Sequence, residues 1–540
     1  MHDSDRQLLS GNEAVALAAL QAGVRLGAGY PGTPSTEILE RFSELGGRAQ
    51  WAPNEKVALE VALGASFANA RTLTTMKHVG LNVAADPLFT AAYTGVAGAA
   101  VVVSADDPGM ASSQNEQDNR RYALAAGLPM LEPSDSQEAY DFTLLAVEIS
   151  ERWRLPVLLR VTTRVCHSKT VVQPRSGRFP VPEPGYGRDI PGRVMIPAHA
   201  RPAHRRLREK LAGLAAWNDR EGPNRADDVD GGLAIITSGV SYMHVREAAP
   251  EARVLKLGMT HPLPAGRIAA FAKGAKRLLV VEEGDPCLVE GIRYAGIPVE
   301  DKPAAFRFGE LNVSRVRRLI AGDDSPEPAP PRGKPPELCH GCPHRQVFSI
   351  LRDLNAIVAG DIGCYTLGVL PPFEAMDTCV CMGASIGVGL GLRHVLPEEE
   401  ARRVVSVIGD STFVHSGITG LAEMVYNPPP TGHLVMILDN GTTAMTGLQE
   451  HPGTGRRLDH RAAGRIVYED LARAMGIRHV AVVDPAAGPG RLRALIEEAL
   501  ARTDLSLIIT RRDCLLAAGK IKAYERAISE AGALETCHAE

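Results

Sequence analysis

The sequence predicts an α/β protein built from doubly wound parallel sheets in three α/β units, at residues 8–165, 232–320 and 338–515. Short apolar runs alternate with stretches of helical spacing, which is the pattern of βαβ units. Many of these runs end in clusters of Gly, Asp, Pro or Ser, where a strand hands the chain to a loop able to face a ligand. Between the units the pattern fails. Residues 166–230 gain Pro, Gly and Arg and lose periodicity, which reads as an extended crossover, and 321–336 is a linker rich in Pro and Asp.

In the first unit, Asn12 to Ala22 has helical spacing, and Leu26 to Tyr30 is a short strand ending in a Pro-Gly-Thr-Pro-Ser turn. Ser35 or Thr36 is placed to cap a helix from Glu37 to Leu45. Glu55 to Ala70 is an Ala-rich helix whose small residues at Ala58, Ala62, Gly64 and Ala65 permit close packing. Strands follow at Arg71 to Met76, with Lys77 and His78 on the loop at its end, at Gly98 to Ser104, and at Pro156 to Val161. The weakly polar run from Phe89 to Ala105 is shorter than the ~20 residues of a membrane span and reads as a buried helix running into a core strand. In the crossover, a helical patch is expected near Arg205 to Ala216. The basic residues from Arg188 to Lys210 lack the interleaved aromatics of a nucleic-acid site and read as a solvated connector.

The second unit has strands at Leu233 to Thr237, Arg253 to Leu257 and Arg277 to Val281. The third has apolar runs at Val405 to Ile408, Leu434 to Leu438 and Leu507 to Thr510, and 516–540 suggests a terminal helix. Hydrophobic residues make up 45% of the chain and charged residues 23%, which is ordinary for a soluble globular protein. A net charge of −4 gives no reason to expect nucleic acid or an anionic membrane as partner. Nine cysteines are too few to staple 540 residues, and the polar start Met1 to Asp5 lacks the shape of a signal peptide. A reducing, cytoplasmic setting is expected.

Two strand ends of the third unit carry chemistry. The run to Ile408 ends in Gly409-Asp410-Ser411, and the run to Leu438 ends in Asp439-Asn440-Gly441-Thr442. An Asp carboxylate and an Asn amide oxygen are hard ligands that suit Mg²⁺ together with diphosphate oxygens. Gly409 lets the backbone approach a phosphate, and the helix that follows points its N-terminus at the anion. The pair resembles the diphosphate signature of thiamine-diphosphate enzymes, with Ser411 in place of the second Gly and a slightly long spacer. Taken alone it fits two ordinary strand-end turns equally well.

Several collinear stretches widen the resemblance: Tyr30 to Ser35 (YPGTPS), Asn54 to Ala58 (NEKVA), Thr75 to Gly80 (TMKHVG), Ala105 to Gly109 (ADDPG), Ser113 to Gln117 (SQNEQ), Cys339 to Arg345 (CHGCPHR), Gly360 to Cys364 (GDIGC) and Cys381 to Ser385 (CMGAS). With Gly409 to Ser411 they run in order over about 8–515. Together they resemble the alpha subunit of indolepyruvate:ferredoxin oxidoreductase, within the thiamine-diphosphate 2-oxoacid:ferredoxin oxidoreductases. The resemblance implies a thiamine-diphosphate-binding fold. The first unit would bind the cofactor's aminopyrimidine, the second would be of the transketolase C-terminal type, and the third would bind the diphosphate.

By this resemblance Glu55 is the acid that shares a proton with the aminopyrimidine, and a first-turn glutamate favoured by the helix dipole is the plain alternative. Thr33 matches a position near the substrate carboxylate, against a simple role in the turn. Gly409, Asp410, Ser411, Asn440, Thr442, Gly383, Cys364 and Tyr365 are expected around the cofactor. Asp410, Asn440 and the Thr442 carbonyl are expected on Mg²⁺. The related pyruvate enzymes hold the substrate carboxylate with an Arg near the end of the strand matching 100–104. This chain has Ala105-Asp106-Asp107 there, so Lys77 and His78 become the candidate basic groups, with surface-charge roles as the alternative. The change suits bulkier arylpyruvates.

Four thiolates hold a [4Fe–4S] cluster. Cys339, Cys342, Cys364 and Cys514 match the family's cluster positions, whereas Cys339-x-x-Cys342 alone would serve half a zinc site or a redox pair. Cys379 and Cys381 read as packing cysteines beside a buried segment. The family's alpha subunit usually continues into a ferredoxin-like module, which these 540 residues do not contain. The expected activity is oxidative decarboxylation of an arylpyruvate to an acyl-CoA. Coenzyme A is the co-substrate, electrons pass to ferredoxin or another acceptor, and a beta subunit completes a hetero-oligomer. The alternatives are a non-redox thiamine-diphosphate decarboxylase or carboligase, and a non-catalytic assembly protein.

Overall fold

The computed structural model describes residues 6–176, 179–227, 232–327 and 336–537, with side chains to 530. The chain divides into two compact units, Met1–Ala329 and Pro330–Glu540. The first holds a seven-stranded sheet in the order Met259–His261, Met130–Leu131, Val157–Thr162, Ala100–Asp106, Thr72–Lys77, Leu26–Gly29, Ala49–Trp51. Neighbours are parallel except at the Met259–His261 edge, which pairs antiparallel. The central strands are buried along nearly their whole length, as they must be when helices cover both faces. From Leu26–Gly29 the chain steps out to Ala49–Trp51 and returns on the other side as Thr72–Lys77. That reversal opens a crevice between the carboxyl ends of Leu26–Gly29 and Thr72–Lys77, where open α/β sheets bind ligands.

The same unit carries a four-stranded sheet, Arg277–Val281, Leu233–Ser238, Arg253–Leu257 and Arg225–Asp227, parallel but for the last strand. The second unit is one six-stranded parallel sheet: Thr378–Cys379, Ile357–Gly360, Val404–Gly409, His433–Asp439, Leu505–Arg511 and His479–Val483. Its apolar residues interdigitate with helices on both faces, with Val405, Val407 and Met436 on one side and Ile408, Val435 and Ile437 on the other. Here the order reverses between Ile357–Gly360 and Val404–Gly409. The second crevice therefore lies where Gly360 and Gly409 end their strands.

Several elements depart from the sequence reading. The ribbon of Gln7–Ser10 against Lys169–Val172 was not anticipated, because four alternating residues carry little signal. The patch expected near Arg205 to Ala216 is a 24-residue helix, Pro197–Arg220, anchored by buried Ala203, Leu207, Leu214 and Trp217. Neither Ser35 nor Thr36 caps its helix in the expected way: Ser35 Oγ donates to Gly32 O, and Thr36 Oγ1 accepts from Gly32 N–H, both at 3.0 Å. Lys77 and His78 are not on a loop, since Lys77 ends its strand and His78 begins the helix His78–Val83. The run from Phe89 resolves into the end of helix Ala85–Thr94 and strand Ala100–Asp106. Among the described residues no helix is long and apolar enough to cross a membrane.

Candidate active site

In the second unit, Asp410 follows directly on the end of a fully buried strand and opens a helical segment. The segment widens to a π-turn at Phe413–Gly417, a local form frequent at functional sites. Burial alone would raise the Asp410 carboxyl. The His451 ring and the N–H groups of Ser411 and Gly441 outweigh it, and the group lies below the usual carboxylate range. Oδ1 accepts from Ser411 N–H at 2.8 Å, and Oδ2 accepts from Asn440 N–H at 3.2 Å and Gly441 N–H at 2.9 Å. His451 Nε2 stands 3.3 Å from the same Oδ2. Asn440 Oδ1 accepts from Thr442 N–H at 3.2 Å, and its Nδ2 faces His344 Nε2 at 3.4 Å. The two strand-end residues chosen from sequence thus share one cluster of hydrogen bonds.

The rest of the crevice is made by close approach. A Cβ on Gly409 would fall 2.6 Å from Tyr365 Cε1, so glycine lets that buried ring pack against the strand end. Gly383 has φ +87°, and a Cβ there would meet Ser416 Cβ at 2.5 Å. Asp361 holds this floor together. It accepts from Ile362 and Gly383 N–H at 2.9 Å and from Ser385 N–H at 3.0 Å. Ser411 Oγ accepts from Thr443 Oγ1 at 3.0 Å. Hard oxygens from Asp410 and Asn440 beside a glycine-lined floor fit a divalent cation with a diphosphate.

Cys339, Cys342, Cys364 and Cys514 line one cavity, together with Leu338, His344, Leu367 and Asn440. Burial pushes the Cys364 thiol up to about 11, and the neighbouring Cys514, Cys342 and Cys339 add to the shift. Cys342 is raised in the same way. Among the described residues no three His, Cys, Asp or Glu side chains close on a single metal ion. Four thiols on one cavity wall have the donor set that a [4Fe–4S] cluster needs. Cys514 N–H donates to Asn440 O at 2.9 Å, which ties the thiol cavity to the Asp410 cluster. Cys379 and Cys381 are exposed rather than packed, because Cys379 ends the short edge strand of the sheet and Cys381 lies just beyond it.

In the first unit, Glu55 is 5% exposed at the head of helix Glu55–Phe67, whose N-cap Asn54 accepts from Val57 N–H at 2.9 Å. A Cβ on Gly80 would lie 2.6 Å from Glu55 Oε1, so the carboxyl rests on the helix that follows strand Thr72–Lys77. Gly32, next to Thr33, approaches Lys77 in the same crevice, where an added Cβ would be 3.0 Å from Lys77 Cβ. Lys77 Nζ donates to Ser112 O, and burial lowers its basicity against the pull of Asp107. His78 is fully buried, with Nε2 at 3.1 Å from Asn115 Oδ1, which rules out a surface-charge role. The crevice therefore gathers the Thr33 turn, Glu55, Lys77 and His78.

The acids of Ala105-Asp106-Asp107 are answered from within. Arg160, on the adjacent strand, donates to Asp106 Oδ2 and Glu132 Oε2 at 2.7 Å, and its guanidinium lies 3.6 Å from Asp118. Arg120 pairs with Asp118 and reaches Glu282 at 2.6 Å, binding the two sheets of the unit together. Sequence reasoning missed these arginines, because a lone Arg inside a strand gives no hint of its distant partners. It also passed over His344, whose place directly after Cys-x-x-Cys-Pro was the available signal, and His451, which had none. Burial holds His344 down to about 4.

Known proteins resemble this chain over nearly its whole length. Residues 17–179 match the family model of the pyruvate flavodoxin/ferredoxin oxidoreductase thiamine-diphosphate-binding domain. Residues 361–510 match the thiamine pyrophosphate enzyme C-terminal binding domain. The indolepyruvate oxidoreductase subunit IorA of Archaeoglobus fulgidus is 40% identical, over 99% of this chain and 90% of its own. That of Pyrococcus abyssi is 41% identical over 95% of this chain and 86% of its own. The fold is that of the 2-oxoglutarate:ferredoxin oxidoreductase of Magnetococcus marinus, with a TM-score of 0.52 and 19% identity, covering 59% of this chain and 65% of that one. The chain belongs to the family of the IorA subunit of indolepyruvate oxidoreductase, among the thiamine-diphosphate-dependent 2-oxoacid:ferredoxin oxidoreductases.

Proposed function

We propose that this chain is the catalytic alpha subunit of an enzyme that oxidises indolepyruvate-like arylpyruvates with coenzyme A. In balance, R–CO–COO⁻ and CoA–SH give R–CO–S–CoA, CO₂, one proton and two electrons. Bound thiamine diphosphate supplies a nucleophilic carbon and an electron sink for the decarboxylation. Asp410, Asn440 and the Thr442 carbonyl hold Mg²⁺ and, with Gly409, Ser411, Gly383 and Tyr365, seat the diphosphate. Glu55 holds a proton against the aminopyrimidine N1′, and its burial keeps water from competing. Thr33, Lys77 and His78 face the substrate end of the first unit's crevice. Cys339, Cys342, Cys364 and Cys514 would hold one [4Fe–4S] cluster, which would supply one-electron chemistry between the cofactor and ferredoxin or another acceptor. A beta-type subunit completes a hetero-oligomer in the cytoplasm.

The observation that carries this reading is the thiol cavity, because its wall includes Asn440, a residue of the diphosphate cluster. A redox centre there sits beside the cofactor's anchor. Anaerobically purified protein should contain about four iron and four sulfide per chain. Iron-free protein that still consumes arylpyruvate would instead establish the non-redox decarboxylase. Glu55→Gln should bind thiamine diphosphate as the wild type does and lose turnover by about 100-fold or more. Unchanged turnover would remove Glu55 from the chemistry.

A further inference from the structure

We propose that His344 and His451 are positioning residues that aim the side-chain oxygens of Asn440 and Asp410 at the metal and diphosphate, one ring as a hydrogen-bond acceptor and the other by the N–H nitrogen it sets beside the carboxylate. The inference rests on the reading of Asp410 and Asn440 as the metal ligands.

The hydrogen-bond inventory fixes both roles. Asn440 Oδ1 takes the Thr442 N–H at 3.2 Å, while Nδ2 meets His344 Nε2 at 3.4 Å. A flipped amide would set N–H against N–H at one end and an oxygen against a ring lone pair at the other. His344 thus accepts, and the amide oxygen keeps a lone pair free. The ring is 3% exposed and held edge-on to Tyr365, with centroids 6.2 Å apart at 82°.

His451 plays the opposite part. Its Nδ1 accepts from Gly453 N–H at 3.2 Å, and a backbone N–H can only donate, so the ring proton sits on Nε2. That nitrogen stands 3.3 Å from Asp410 Oδ2 but outside hydrogen-bond geometry, so it bears on the carboxylate by its charge and not by a directed bond. Oδ2 already accepts from Asn440 and Gly441 N–H, so its lone pairs are filled. Among the described residues Oδ1 accepts from Ser411 N–H alone, which makes it the oxygen turned to a cation. The turn that seats the ring needs glycine at 453: a Cβ there would fall 1.7 Å from Tyr468 Oη and 3.0 Å from His451 Cε1. Imidazoles serve where guanidinium would not, because they orient the ligands without bringing a permanent positive charge. Groups that orient metal ligands in this way are typically worth about 10–100-fold in metal affinity.

The test is calorimetric titration of Mg²⁺ into the full chain at saturating thiamine diphosphate, with thermal unfolding as a check on folding. His344→Leu and His451→Leu should each raise the Mg²⁺ Kd by about 10–100-fold. His344→Gln and His451→Gln place an amide where Nε2 stood and should recover most of the loss. Wild-type affinity in the folded Leu variants would overturn the proposal. Should Leu not fold, Asn decides, since its amide mimics Nδ1 instead: Gln binding tighter than Asn supports the proposal, and equal affinities overturn it. Asp410→Ala runs in parallel. If it too binds like wild type, the reading of the metal ligands has failed; if it weakens binding and the histidine variants do not, only this inference has.

Discussion

Asp106 and Asp410 both stand at the carboxyl ends of buried parallel strands, one in each unit, and both are almost fully buried. Asp106 is met at 2.7 Å by Arg160, which also holds Glu132. Asp410 is met by backbone N–H groups and an imidazole. Within the second unit the contrast repeats, because Asp439 is bound by Arg511 at 2.6 Å only one residue before Asn440. An acid closed by a guanidinium has spent its charge inside the protein. One cradled by N–H dipoles keeps its charge for an incoming cation. Position at a strand end therefore does not identify a metal ligand, but the chemistry of its neighbours does.

The sharpest way to break this comparison is to remove the guanidinium. Arg160→Met strands Asp106, Asp118 and Glu132 without their shared cation and should destabilise the first unit by about 3–5 kcal/mol. All three tryptophans, Trp51, Trp153 and Trp217, lie in that unit, so their fluorescence in a urea titration reports its unfolding alone. An unshifted midpoint would show that the network is not structural.

Glu283 sharpens the same point from the other side. Burial raises its carboxyl to about 7, against the N–H of Leu311 that it accepts at 2.9 Å. Because the folded value lies above the unfolded one, its contribution to stability is full below pH 4.5 and is lost as the pH rises through 7. Relative to Glu283→Gln, the wild type should lose about 3 kcal/mol across that window. Parallel pH profiles for the two proteins would refute the assignment.

The smallest effect separates the two kinds of aspartate directly. Asp410→Asn should weaken Mg²⁺-dependent cofactor binding by about 100-fold, equivalent to ~2.8 kcal/mol. Asp118→Asn should leave that affinity alone and lower only the tryptophan unfolding midpoint. If both variants weaken binding equally, the distinction between closed and open strand-end acids fails.

The parallel sheets were legible in the sequence because their core strands are continuous apolar runs, such as Val101 to Val103 and Leu434 to Leu438. Asp410, Asn440 and the four cavity cysteines were legible because they sit at the ends of such runs or in short motifs. Arg160 and Arg120 were not, since their partners lie up to 165 residues away and no local pattern records them. His451 stands 41 residues beyond Asp410, in a loop without periodicity, and its role depends on a ring proton set by Gly453. Burial of His78 was missed for a simpler reason. A strand end was taken as a loop, when the chain turns straight into a helix.

The Met259–His261 strand has a consequence for how the protein is made. It forms the outer edge of the seven-stranded sheet, yet it follows its neighbour Met130–Leu131 by more than a hundred residues. Until the ribosome has passed that point, Met130–Leu131 is an open edge able to pair with another nascent chain. Arg120 waits longer still for Glu282. A fragment cut after residue 179, where the family match ends, would carry both defects permanently. The first sheet is thus a unit of recognition but not of synthesis: it is finished only after three of the second sheet's four strands have been translated.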